Sequence, residues 1–445
     1  MPTPAHSIEP SSSATPKTRS VRFGPRDTIV ERRPDGAVMM RSPHPLGPYA
    51  EKLTERLVHW AQAAPDRVYL AQRDAAGGWR TLTYAQTLDR VRRLAAALLP
   101  RGLSAERPIA VLSGNDIEHA LIELAAMYIG VPYVPISPAY SLISTDFGKL
   151  RHIVNLITPG LVYATDGNLF ARAIAAVVPA DVDVAVARNP LADRPTRLFA
   201  ELDATPTTAV EAAHAAVGPD TIAKILFTSG STGMPKGVIN TQQMWCANQV
   251  MIRTALAYFQ DEPPVLVDWA PWHHTAGGNH NFGLVLYNGG SFYIDEGKPM
   301  PGAIEATVRN LGEISPTFYF NVPKGYEALL PYLRRDKKLC ETFFHNLKVL
   351  FYAGAGVSKP VLEEMQQLAE AACGERILFL TSLGTTETGP FALIRTWDSE
   401  EPANVGLPCV GLDLKLAPVD GKYECRLKGL NITPGYLAEI GLAGK

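Results

Sequence analysis

The stretch TSGSTGMPKG (residues 228–237) follows the apolar run ILF and carries three glycines, four hydroxyls and one lysine in ten residues. That composition suits a loop that holds an anion. Glycines let the backbone approach closely, hydroxyls donate hydrogen bonds, and lysine adds a mobile positive charge. The commonest phosphate loop spaces a glycine four residues ahead of Gly-Lys-Ser/Thr. Here Pro235 stands where the second glycine belongs, and Lys236 is followed by Gly237 in place of a hydroxyl. A Walker-type kinase or ATPase therefore fits poorly. The residues before the loop read as a strand and those after it as a helix. The expectation is strand, loop, helix, with free N–H groups and the helix dipole favouring negative charge. A flexible surface connection is the plain alternative.

Three other stretches bear on the choice. TSLGTTETGP (residues 381–390) also ends an apolar strand and sets Thr386 beside Glu387. A hydroxyl and a carboxylate next to a phosphate site suit an oxygen-ligated Mg2+ carried by a triphosphate, although Thr and Glu also favour an ordinary helix start. DWAPWHHTAGGNHN (residues 268–281) places Trp269, Trp272, His273, His274 and His280 around glycines. Its spacing is not that of a metal-binding helix, so a pocket for a planar organic substrate fits better than a metal site, with an aromatic core as the alternative. KVLFYAGAGVSKP (residues 348–360) is a strand running into a glycine turn that would let backbone lie against a flat ring. There is no Gly-x-Ser-x-Gly elbow, and nothing points to a nucleophilic cysteine. The chemistry on offer is anion positioning without a covalent enzyme intermediate.

Bulk properties favour a small-molecule partner. The 445 residues are 46% hydrophobic and 19% charged, with Lys+Arg 42 against Asp+Glu 44 and a net charge of -2. Such a chain has no electrostatic footprint for nucleic acid or an anionic membrane. Five scattered cysteines without a Cys-x-x-Cys pair read as reduced thiols in a cytoplasmic protein. Residues 1–20 are rich in Pro and Ser and read as a disordered tail. Apolar strands then alternate with amphipathic helices, which predicts α/β architecture with parallel sheets covered on both faces. From about Phe391 the pattern changes to strands separated by Pro and Gly turns. The expected division is a tail at 1–20, an α/β body at 21–390, and an incomplete antiparallel β subdomain at 391–445.

Taken in order, the four stretches resemble the adenylate-forming enzymes, the superfamily of acyl- and aryl-CoA synthetases, luciferases and peptide-synthetase adenylation domains. TSGSTGMPKG matches every defined position of the superfamily loop T-S-G-[ST]-T-G-x-P-K-G. LGTTE resembles Y-G-x-T-E with Leu383 in place of Tyr, PWHHTAGG resembles the aromatic-His stretch, and YAGAG the adenine-contacting turn. The chain is similar to feruloyl-CoA synthetases in particular, which share the contexts HTxGGNHNFGLVLYNGG, FNVPKGYE, LGTTET and GLNITPGY. The resemblance implies a large N-terminal body of two parallel-sheet α/β subdomains plus a small antiparallel β subdomain. It also implies ATP-dependent activation of a carboxylic acid, first to acyl-AMP and then to acyl-CoA, in phenylpropanoid metabolism.

Carried over by position, Thr228, Ser229, Gly230, Ser231, Thr232, Gly233 and Lys236 would hold the phosphates. Thr386 would touch the α-phosphate, and Glu387 would hold Mg2+. His274 would border the acyl pocket and the CoA entrance, and Gly354, Ala355, Leu383 and Gly384 would border adenine. A hydroxycinnamate slot would draw on Trp269, Trp272, Asn279, His280, Phe320, Asn321 and Tyr326. ATP, Mg2+ and CoA are the implied cofactors, with no nucleic-acid or membrane partner. The superfamily's T-G-D motif and C-terminal lid domain are not found before Lys445, so the expectation is an N-terminal portion with low or no activity of its own. A fatty or other aryl acyl-CoA synthetase, or a non-catalytic nucleotide-binding module, are the alternatives.

Overall fold

A computed structural model describes residues 17–229, 233–399, 401 and 403–437. The apolar runs become buried strands, and the sheets they form are mixed. The first sheet has seven strands in the order Arg197–Leu198, Asp183–Arg188, Leu161–Asp166, Ile109–Leu112, Tyr133–Pro135, Ile222–Ser229 and Pro235–Thr241. All neighbours are parallel except the last pair. The helix Ile117–Tyr128 illustrates how the covering layer is built. Asp116 caps it by accepting from the His119 N–H, and Gly130 ends it with φ +74°. Its buried positions run all round it because it is packed between layers.

A second layer joins two sheets end to end. Four strands run in the order Val265–Asp268, Ser291–Ile294, Val68–Arg73 and Trp79–Thr83. Five more run Phe318–Asn321, Val349–Tyr352, Leu378–Leu383, Leu393–Arg395 and Leu407–Pro408. The junction is made where Thr317 N–H donates to the Val265 carbonyl at 3.0 Å and its hydroxyl accepts from Val265 N–H at 2.9 Å. Strands Val349–Tyr352 and Phe318–Asn321 are buried at every position, as expected for strands covered on both faces.

Three sequence-based expectations change here. Residues 1–16 of the expected tail lie outside the described residues, but residues 17–20 do not behave as a tail. Lys17–Thr18 pairs in parallel with Glu375–Arg376, and the Arg19 guanidinium donates to the carbonyls of Phe344 and Leu347. The division at residue 391 does not follow the sheets either. Leu393–Arg395 and Leu407–Pro408 extend the five-stranded sheet, while the small antiparallel sheet draws half its strands, Ile29–Arg32 and Val38–Arg41, from the N-terminal lead-in. Pairing across that sequence distance leaves no local signal.

The third change concerns the glycine loop. It does not lead from a strand into a helix. It closes an antiparallel hairpin in which Thr228 pairs with Lys236 and Ser229 with Pro235. The helix Gln242–Ala255 begins only after the second strand, capped by the Thr241 hydroxyl. Its dipole therefore acts at the base of the hairpin, away from the loop. Among the described residues the cysteines are all free thiols, and no helix is long and apolar enough to cross a membrane.

Candidate active site

A cavity of about 620 Å³ opens where the C-terminal ends of four neighbouring strands converge, the usual place for a ligand on an α/β sheet. One wall is formed by Trp269, His273, His274 and Gly277, which follow strand Val265–Asp268. Phe320 and Asn321, at the end of Phe318–Asn321, form the back. The opposite wall is Gly354, Ala355 and Gly356 together with Leu383 and Gly384. Gly354 has φ +86°, which favours glycine, and a Cβ on Gly384 would stand 2.3 Å from the Pro390 carbonyl oxygen. Leu383 is 40% exposed and presents an apolar edge to this space.

Of the acyl-side residues named from the sequence, Trp269, His274, Phe320 and Asn321 line the cavity. Trp272, Asn279, His280 and Tyr326 do not. Trp272 is fully buried, edge-on to His119 and Phe282 at 5.1 Å each. Asn279 donates to Asn240 Oδ1 at 2.8 Å and to Thr275 Oγ1 at 3.1 Å. The His280 ring is enclosed by Phe318, Phe320, Phe351 and Phe391 at 5.3–6.0 Å, and burial pushes its pKa down to about 4. The Tyr326 hydroxyl donates to the carbonyls of Tyr319 and Phe351, behind the sheet. Strand alternation explains this last case: Phe320 faces the cavity, so Tyr319 and its partner Tyr326 face away.

The π-helix Ala276–Asn281 explains the rest. Its glycines pack against the preceding turn, where a Cβ on Gly277 would fall 2.4 Å from the Ala270 oxygen and one on Gly278 2.2 Å from the Trp272 oxygen. Such turns leave some carbonyls without the usual helical donors. Side chains replace them: Lys224 Nζ donates to Gly278 O at 3.1 Å, and Trp245 and Gln249 donate to Asn279 O at 3.0 and 2.8 Å.

At the phosphate end, Gly230, Ser231 and Thr232 lie outside the described residues, and Gly233 has φ +84°. Lys236 Nζ sits 5.0 Å from the centre of the Tyr436 ring, and the Tyr436 hydroxyl donates to Glu387 Oε1 at 3.0 Å. One tyrosine thus joins the lysine of the first motif to the carboxylate of the second. The segment carrying Tyr436 is held by Thr433, whose N–H donates to the Glu387 carbonyl and whose hydroxyl donates to Ile239 O. Thr386 is buried at the start of the short 3-10 helix Thr386–Thr388.

Sequence reasoning missed Tyr436, although it lies in the GLNITPGY context, and it missed Asp268. Asp268 lines the cavity at 2% exposure, accepting from Asn281 Nδ2 at 2.9 Å and from Ala270 N–H at 3.2 Å. Burial raises its pKa to about 7 against those two donors.

The AMP-binding enzyme family profile matches residues 57–437. This chain belongs to the AMP-binding enzyme family. Its relatives include a feruloyl-CoA synthase of Amycolatopsis, 28% identical over 375 residues that cover 81% of this AMP-binding enzyme and 67% of that one. A 4-chlorobenzoate–CoA ligase of Arthrobacter is 25% identical over 340 residues, covering 75% of this chain and 58% of its own. Among solved structures, a long-chain-fatty-acid–CoA ligase of Archaeoglobus fulgidus superposes with a TM-score of 0.70 at 19% identity, covering 89% of this chain and 78% of that one. An o-succinylbenzoate–CoA synthetase of Bacillus subtilis, solved with AMP, gives 0.65 at 17% identity, covering 88% and 72%. These structural likenesses establish that this AMP-binding enzyme has the adenylate-forming fold.

Proposed function

We propose that this enzyme activates a hydroxycinnamate such as ferulate with ATP, forming an acyl-adenylate and pyrophosphate, after which the thiol of CoA displaces AMP. The observation that carries the reading is a cavity in which the glycine turn 354–356 faces Trp269, His274 and Phe320. A nucleotide ring on the first wall and an aromatic acid against the second would share one space, with the carboxylate directed toward the hairpin. Holding both reactants in line accounts for much of such catalysis. The named functions of the curated relatives support the same chemistry.

In this reading Gly354, Ala355, Leu383 and Gly384 border adenine. Thr228, Ser229 and Lys236, with Gly230, Ser231, Thr232 and Gly233 at the hairpin tip, hold the β- and γ-phosphates, and Thr386 touches the α-phosphate. His274, exposed on the cavity wall, stands between the acid and the entering CoA. Among the described residues no three His, Cys, Asp or Glu side chains converge as a metal-ligand set. Glu387 is a single carboxylate, which fits Mg2+ that keeps phosphate and water oxygens as its other ligands. The metal would neutralise phosphate charge there. A cytoplasmic site of action fits the free thiols.

The test is ferulate-dependent release of AMP and pyrophosphate from ATP; release of ADP and phosphate would overturn the reading. Lys236→Ala is expected to slow adenylation by about 10²-fold, the usual effect of removing one charge-stabilising donor. The acid is tested by thermal shift. Ferulate is expected to raise the melting temperature more than octanoate does, and the reverse order would favour a fatty acyl substrate.

A further inference from the structure

The hairpin that carries the phosphate loop also grips the acyl wall, and its register shows how. Residues paired across an antiparallel ladder point to one face, as do residues two and four apart along a strand. Thr228 pairs with Lys236 near the loop, and Lys224 pairs with Asn240 four residues down each strand. Both pairs therefore share a face. At one end that face presents the expected phosphate ligands. At the other it presents two fully buried polar side chains, each aimed at the π-helix Ala276–Asn281.

Lys224 Nζ reaches Gly278 O at 3.1 Å, and Asn240 Oδ1 accepts from Asn279 Nδ2 at 2.8 Å. Neither side chain is free to shift. The Lys224 ammonium is also held by Glu123 Oε1 at 3.2 Å and lies 3.4 Å from the centre of the Trp245 ring. The Asn240 amide donates to its own strand at Val238 O. The same π-helix contributes Gly277 to the cavity wall, and its first turn follows His274. Four residues of strand span about 13 Å, so two stiff ribbons of fixed length separate the phosphate end from the acyl wall.

We propose that Lys224 and Asn240 are positioning residues that set the acyl wall at a fixed distance from the phosphate loop, so that the acid's carboxylate meets the α-phosphate in line. This rests on the adenylating function proposed above. Neither residue touches a reactant; both act through the carbonyl and amide of residues 278 and 279. The consequence is kinetic. A wall displaced by about 1 Å still binds its ligand but loses alignment, which costs on the order of 10²-fold in rate.

The experiment uses the full chain with Asn240→Ala, Asn279→Ala, the double variant and Asn240→Asp. AMP and ferulate affinities are measured separately by calorimetry, and ferulate-dependent adenylation by single-turnover quench. Each alanine variant is expected to lose about 10²-fold in adenylation rate while both affinities stay within about two-fold. The double variant should be little slower than either single, because the bond that joins the two residues is already gone in each. Asn240→Asp, protonated at this buried position, keeps the acceptor for Asn279 Nδ2 and offers its hydroxyl to Val238 O, and should recover most of the rate. Wild-type rates in the alanine variants, multiplying losses in the double variant, or affinities that fall in step with the rate would each overturn the proposal. A wild-type chain that binds neither AMP nor ferulate would instead overturn the adenylating function, and the proposal with it.

Discussion

Replacing Lys224 with methionine is expected to destabilise the fold by about 3–5 kcal/mol, the usual result of leaving one partner of a buried ion pair charged and alone. Lys224 and Glu123 are both fully buried, with Nζ 3.2 Å from Oε1. Besides Glu123, the ammonium is solvated by the Tyr133 hydroxyl, the Gly278 carbonyl and the face of Trp245. These contacts do not fully replace water: burial lowers the lysine pKa to about 8 in spite of the raising effect of Glu123. The intact pair therefore adds little net stability, and its importance lies in the cost of breaking it. Adding Glu123→Leu to Lys224→Met removes the stranded carboxylate and is expected to restore at least half of the loss. Urea unfolding followed by circular dichroism measures all three proteins. A double variant less stable than the single one would refute this account.

The parts of the fold legible in the sequence were those whose cause is local. Runs such as FYFN and VLFY are apolar at successive positions because both faces are covered, and they became the central strands. The motifs at residues 353–356 and 383–387 could be placed near one another because each follows such a strand, and parallel strands bring their C-terminal ends together. Lys224 was equally visible, a charge inside the run AKILF. A charge in a buried strand requires a partner, but no local pattern pointed to Glu123, 101 residues away.

The acyl side shows a different limit. The stretch HHTAGGNHN was read as a pocket-lining turn, with Asn279 and His280 as polar handles. The π-helix has a wider turn than an α-helix, so the stretch exposes 273–277 to the cavity and turns 278–281 into the core. Nothing in the residue types distinguishes that pitch from a loop. Tyr436 was beyond sequence reasoning for a third reason: its link to Glu387 spans 49 residues and depends on a strand-like bridge between Val238 and Tyr436.

Asp268 yields the other large effect, and it is one of pH. In the folded protein its pKa is raised from 3.8 to about 7, with desolvation the leading cause. Between those values the native state keeps a proton that the unfolded chain has released, so this group's contribution to stability falls as pH rises from 4 to 7. Above pH 7 the fold carries a buried carboxylate, at a cost of about 4 kcal/mol for a shift of roughly three units. Asp268→Asn removes that titration. Relative to wild type, the variant is therefore expected to gain about 4 kcal/mol between pH 4 and pH 8, measured as the difference between their urea unfolding free energies. His273 and His280, whose pKa values burial lowers from 6.5 to about 4, add stability as pH rises between those values, but they do so in both proteins and cancel in the difference. Asp295 is also raised by burial and is a minor charge neighbour of Asp268, so all of its titration but that weak coupling cancels. A difference that stays flat with pH would show that the carboxyl is solvated better than its 2% exposure implies. The same titration bears on the ligand. Because Asp268 lines the cavity, its ionisation places a second negative charge beside an anionic acid. Ferulate affinity is therefore expected to fall from pH 6 to pH 8 in wild type and to change less in Asp268→Asn, in which no such charge develops.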